Sequence, residues 1–175
     1  NACVSHGRRV DPANGAVERH ELEGDGAVSF YAQIVAVRIT AAMTVGTTIN
    51  VDFAFGGEAP KAAILCGAGL GTALATDQAA AGSISLSRGY AIGAATRHVA
   101  SWQSTEGGAT TAVAASHRAD AAFCQIVGDI VVGRADINAF SADRVQLIID
   151  AQFTADRILW VKGFAGTDIT NVALF

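Results

Sequence analysis

Trp102, Gln103 and Glu106 fall together in the stretch SWQSTEGG, residues 101–108. A Trp beside an amide and a carboxylate can hold a sugar, with the indole stacked on an apolar ring face and the polar groups on the hydroxyls. The same Trp could anchor a protein interface, where Trp is enriched. These three residues are the candidate ligand or interface loop. Other groupings have plainer readings. Cys3-x-x-His6, His20 and Glu23 supply zinc-ligand types, but the spacing is not that of a compact tetrahedral set. No metal site is expected, and His98 and His117 read as surface or interface residues. Ser116 and His117 are neighbours in sequence, so on a strand they point to opposite faces and make a poor nucleophile–base pair. Asp120/Asp129 and Asp136/Asp143 could serve glycoside hydrolysis only at the right separation. Asp136, Asp143, Asp156 and Asp168 each sit in turn-like contexts, where an Asp caps its own backbone.

Cys66 and Cys124 lie inside apolar runs (AAILC, AFCQIV) and read as buried thiols. With Cys3 they make three widely spaced cysteines, not a disulfide framework. Ile64 to Ala73 mimics a dinucleotide fingerprint, but the third glycine arrives at Gly71 instead of at Thr72. No acidic residue stands about twenty positions further on for a ribose. A tight glycine loop between strands is the better reading. No catalytic residue, no metal and no cofactor is expected, and the chain reads as a non-enzyme.

The elements that must position these residues are strands. In Arg144–Phe153, Val145, Leu147, Ile149, Ala151 and Phe153 share one side of an extended chain, a period of two. Thr48–Phe55 alternates likewise, with Ile49, Val51, Phe53 and Phe55 inward. Further strands are expected at 29–40, 62–66, 83–95, 121–132, 137–140, 157–164 and 170–174, roughly nine or ten in all. Gly89, Gly93 and Gly128 mark bulges or close approaches. Residues 70–81 and 107–122, rich in small side chains, read as excursions between strands. Trp160, within ILWV, reads as core. Residues 1–28 lack an apolar period and carry turn signals at Asp11-Pro12 and Asn14-Gly15. They read either as an irregular segment across the sheet or as an arm docked on a neighbour.

Hydrophobic residues make up 51% of the 175, charged residues only 16%, and Lys occurs twice. So lightly charged a surface suits a chain that buries itself against neighbours. The net charge is −4 and, apart from Arg8-Arg9, basic residues are scattered. That excludes the concentrated basic face that nucleic acid requires. Without a basic amphipathic helix or a run of about 18 apolar residues, no membrane association is expected. The chain starts at Asn1 with no charged-then-apolar leader, and no compartment is legible from it.

The order Pro60-Lys61-Ala62-Ala63-Ile64-Leu65, the glycine loop, Gly89-Tyr90-Ala91-Ile92-Gly93, Phe140 to Leu147 and Phe164 to Val172 resembles tailed-bacteriophage virion proteins. These are β-sandwich subunits of tails, fibres and head decorations. The likeness covers about residues 58–175, and its most specific part is Gly166-x-Asp168-Ile169-Thr170-Asn171-Val172. It implies a non-enzymatic, oligomeric component located in the virion, partnered by copies of itself and by other virion proteins. The expected fold is all-β: an antiparallel, jelly-roll-like β-sandwich over 29–175 with an irregular N-terminal extension, 1–28. The rival reading is a carbohydrate- or receptor-binding module of a phage tail or fibre, contacting a host surface glycan through loop residues around Trp102–Gly108.

Overall fold

Period-two runs become strands because each buries one side of its pleat while the other stays open. The computed structural model describes residues 17–22, 28–68, 83–105, 113–127, 130–170 and 172–173. Among these residues the strands are β1 (Val17–Leu22), β2 (Val28–Ile39), β3 (Thr48–Asp52), β4 (Ala62–Ala68), β5 (Ser83–Ala91) and β6 (Arg97–Thr105). They continue with β7 (Val113–Arg118), β8 (Phe123–Val127), β9 (Ile130–Ser141), β10 (Arg144–Ala151) and β11 (Arg157–Ala165). No helix occurs among them. A seven-stranded sheet has the order β1-β2-β11-β4-β5-β6-β7, and a four-stranded sheet the order β3-β10-β9-β8. Every pairing is antiparallel, and the two sheets enclose one main core.

The core is built from the expected alternation. Val145, Leu147 and Ile149 of β10 and Leu65, Leu159 and Val161 of the large sheet are fully buried. Burying a side chain of this size contributes about 1.5–3 kcal/mol. Val51, Phe53 and Phe55 also point inward, but the ladder of β3 stops at Asp52. There the backbone turns to another partner: Phe53 N–H donates to Asp143 O, and the Asp143 carboxylate accepts from Phe55 N–H and Gly57 N–H at 2.7 and 2.8 Å. Asp143 thus caps a neighbouring loop, not its own turn. It does so with φ at +56°, the one left-handed non-glycine among the described residues.

Close approach requires glycine at several places, Gly89 and Gly163 among them. A Cβ on Gly89 would fall 1.7 Å from Ala122 O, as expected of a contact between backbones. A Cβ on Gly163 would fall 2.8 Å from the Phe53 ring, which fills that space instead.

Several boundaries differ from expectation. The stretch assigned to the N-terminal extension contains β1, which pairs along β2. Residues 101–105 belong to β6, not to a loop, and the presumed excursion 107–122 contains β7. Both were obscured because a serine stands on the inner side of each: Ser101 of β6 is buried and joined Oγ to Oγ at 2.9 Å to Ser87 of β5, and Ser116 of β7 is half-buried opposite it. The run 121–132 is not one strand but β8 and the start of β9, and β9 reaches back well before residue 137. Of the expected last strand, 170–174, the described residues Thr170, Val172 and Ala173 are outside any strand, and the Gly166–Ile169 stretch is a turn closed by Ile169 N–H to Gly166 O. Residues 70–81 and Gly128 lie outside the described residues.

Candidate functional site: an open aromatic sheet face

Register places the outward side chains of the large sheet in rows. One runs Arg38, Ile158, Ala68, Leu86, Trp102 and Ala115 across β2, β11, β4, β5, β6 and β7. The next runs Ala36, Trp160, Cys66, Arg88, Ala100 and His117, and a third Ile34, Lys162, Ile64, Tyr90 and His98. Most of these residues are apolar, yet Trp102 is 46% exposed, Trp160 40% and Leu86 49%. Between the two tryptophans lies a groove of about 280 Å³ with an apolar lining, to which Cys66, Ala68, Leu86 and Arg88 also contribute.

Among the side chains described on this face every charge is positive. Across β2, β11 and β4 to β7 it carries Arg38, Lys162 and Arg88 and no carboxylate. Arg38 is neutralised at the rim by Asp156, whose carboxyl is held below its ordinary range by the Ala41 N–H and by Arg38. Arg88 and Lys162 meet rings instead: Arg88 lies 5.1 Å from the centre of Tyr90, and Lys162 5.2 Å from that of Phe164. His98 and His117 stack with centroids 5.5 Å apart.

The candidate loop residues are separated. Trp102 and Gln103 are consecutive on β6 and so face opposite ways, Trp102 outward and Gln103 toward the inner side between Ser85 and Ala114. Glu106 lies outside the described residues. Trp160 is on the open face and not in the core, because Leu159, Val161, Gly163 and Ala165 are the inward residues of β11. Cys66, read as buried, is half-exposed in the groove; Cys124 is buried, and burial pushes its thiol up to about 11. The signal for this site was Lys162: a lysine in period with Trp160 and Phe164 marks their shared face as the one that water reaches.

The other acid and base candidates are occupied. Ser116 and His117 face opposite ways on β7, as expected. Asp136 does not cap a turn; it is buried within β9 and receives Arg97 Nε and Nη2 at 2.6–2.9 Å. Asp143 is the loop cap described above, and Asp129 lies outside the described residues. Asp120 takes Arg118 and Arg134, and the Arg118 hydrogen bond holds its carboxyl below the ordinary range. Burial pushes Asp150 up. Among the described residues no group of three or more His, Cys, Asp and Glu is placed to hold a metal ion. Cys3, His6 and Glu23 lie outside the described residues.

Comparison with known proteins gave no match: no family model, no characterised protein and no solved structure is significantly similar to the chain.

Proposed function

We propose that the chain is a non-enzymatic structural subunit of a bacteriophage particle, joined to neighbouring virion proteins through the outer face of its seven-stranded sheet. The observation that carries this reading is the uncovered apolar face around Trp102 and Trp160. A contiguous apolar area of that kind costs solubility unless something covers it, and aromatic residues with Arg are the composition that interfaces favour. The setting, a virion, comes from the sequence resemblance. Topology supports a jelly-roll-like reading: β2 pairs β11, β3 pairs β10, and β4 lies beside β11, the nested half of a jelly roll, while β4 to β7 continue as a meander.

The test is a reconstruction of the particle with the chain located by antibody. The Trp160 face is expected to be buried against another subunit. Finding it open to solvent, with other surfaces making the contacts, would sink the reading.

The carbohydrate-binding alternative draws on one specific observation, two tryptophans on the same open sheet face. A glycan array separates it. Specific signal from the wild type that Trp102→Ala abolishes would replace the structural reading, and a blank array would leave the alternative without support.

A further inference from the structure

Two cations that lack a carboxylate partner among the described residues narrow what can cover this face. Arg88 contributes to the groove, and Lys162 stands in the adjoining row. Neither meets a carboxylate among the described residues; each has only an aromatic ring beside it. A cation over a ring stays accessible to an anion, and covering it with an uncharged surface would strip its water without replacing it. We propose that the groove between Trp160 and Trp102 receives a segment of a different protein: a bulky apolar side chain enters between the indoles, and an adjacent carboxylate pairs with Arg88. This rests on the docking role proposed above and names its partner's chemistry.

Three other occupants fit less well. A second copy docked by the same face would meet it about a twofold axis, bringing Arg88 and Lys162 toward their own counterparts. An anionic bilayer is held by clusters of about four to eight basic residues, and this face offers two that are unpaired. A sugar needs several polar groups at the ring edge, and Arg88 is the only charged side chain in the groove lining. A side chain of Leu, Phe or Trp, by contrast, suits a groove of about 280 Å³ between two indoles.

The experiment is selection from a displayed library of random dodecapeptides on three immobilised proteins: wild type, Arg88→Glu and Leu86→Asp. Both substitutions are at exposed positions, and a thermal melt of each checks that it folds. Wild type is expected to enrich peptides with an aromatic or large aliphatic residue flanked by Asp or Glu. A synthetic consensus peptide should bind Arg88→Glu about tenfold more weakly or worse, and selection on that variant should turn the flanking preference basic. Leu86→Asp should enrich nothing in common with wild type.

Apolar anchors without an acidic preference, or an acidic preference that survives Arg88→Glu, would overturn the pairing and leave the docking face standing. Enrichment that Leu86→Asp does not disturb would remove the docking face as well. Two further arms use the wild type alone. Phosphatidylserine vesicles that bind where peptides do not would replace the protein partner with a lipid surface. A dimer seen by light scattering and lost in Leu86→Asp would replace it with a second copy.

Discussion

The outer face of the four-stranded sheet spends its polar groups on one another, whereas that of the seven-stranded sheet leaves its tryptophans exposed and Arg88 and Lys162 without a carboxylate partner among the described residues. On β3, β10 and β9 an amide row runs Asn50, Gln146, Asn138, each link a side-chain hydrogen bond, and Arg144 reaches Asp52 at 2.6 Å. On the large sheet the corresponding positions are Trp160, Leu86, Trp102 and Ile34, with Arg88 and Lys162 left to rings. The difference teaches where stability and recognition reside. Residues satisfied within the fold hold it together; residues satisfied by nothing in it are available to a partner.

Mutations should therefore separate the two surfaces by their effect on stability. The largest loss is expected for Asp136→Ala, which leaves the part-buried Arg97 without its carboxylate. Breaking a fully buried pair costs about 3–5 kcal/mol, which is the upper bound here, read as a fall in the urea midpoint at unchanged slope. A loss under about 1 kcal/mol would show that the pair behaves as an exposed one. Asp143→Ala removes the acceptor for two backbone N–H groups and should cost about 1–2 kcal/mol. Asp143→Asn should recover about half of that or less, because its single carbonyl oxygen can accept from Phe55 N–H or from Gly57 N–H but its amide nitrogen cannot accept from the other.

On the large sheet, Leu86→Ser should change stability by no more than about 1 kcal/mol while lowering the fluorescence of an apolar dye bound to the native protein. A large loss of stability there would end the contrast between the faces.

The smallest effect concerns pH. Burial raises the folded-state pKa of Asp150, so the native form holds that proton more tightly than the unfolded chain does. Its ionisation lowers stability as pH rises from the unfolded value through the folded one, and the cost is complete above both. Asp150→Asn should raise stability at neutral pH by about 0.5 kcal/mol or less and leave it unchanged in strong acid. Asp120 runs the other way. Its folded pKa is lowered by Arg118, so its contribution is present above the ordinary carboxylate value and is lost as pH falls through the folded one. Thermal melts of Asp150→Asn and Asp120→Asn across pH should diverge in these opposite senses.

What the chain revealed of itself follows from the same contrast. Arg144–Phe153 was legible because its inward residues are large and its outward ones polar. β6 and β7 were not, since Ser101 and Ser116 point inward while Trp102 and His117 point outward, the reverse of the usual pattern. In β11 both sides are mostly apolar, so only Lys162 was there to orient Trp160; its inward neighbours include Gly163, which is small because the Phe53 ring occupies that space. Of the site, Trp102 was found from its type. Leu86, Cys66, Arg88 and Trp160 join it only through pairings between strands far apart in sequence, which no local period encodes.

The place of β11 has a consequence in time. It is the last strand in chain order among those described, yet it lies third in the large sheet, bonded to β2 on one side and to β4 on the other. Until it arrives, β1–β2 and β4–β7 are separate fragments, each with a bare hydrogen-bonding edge that can recruit foreign strands. Contacts this distant in sequence form slowly. A growing chain must therefore carry two sticky half-sheets until Arg157–Ala165 has emerged, and the interval before β11 inserts is when misassembly threatens most.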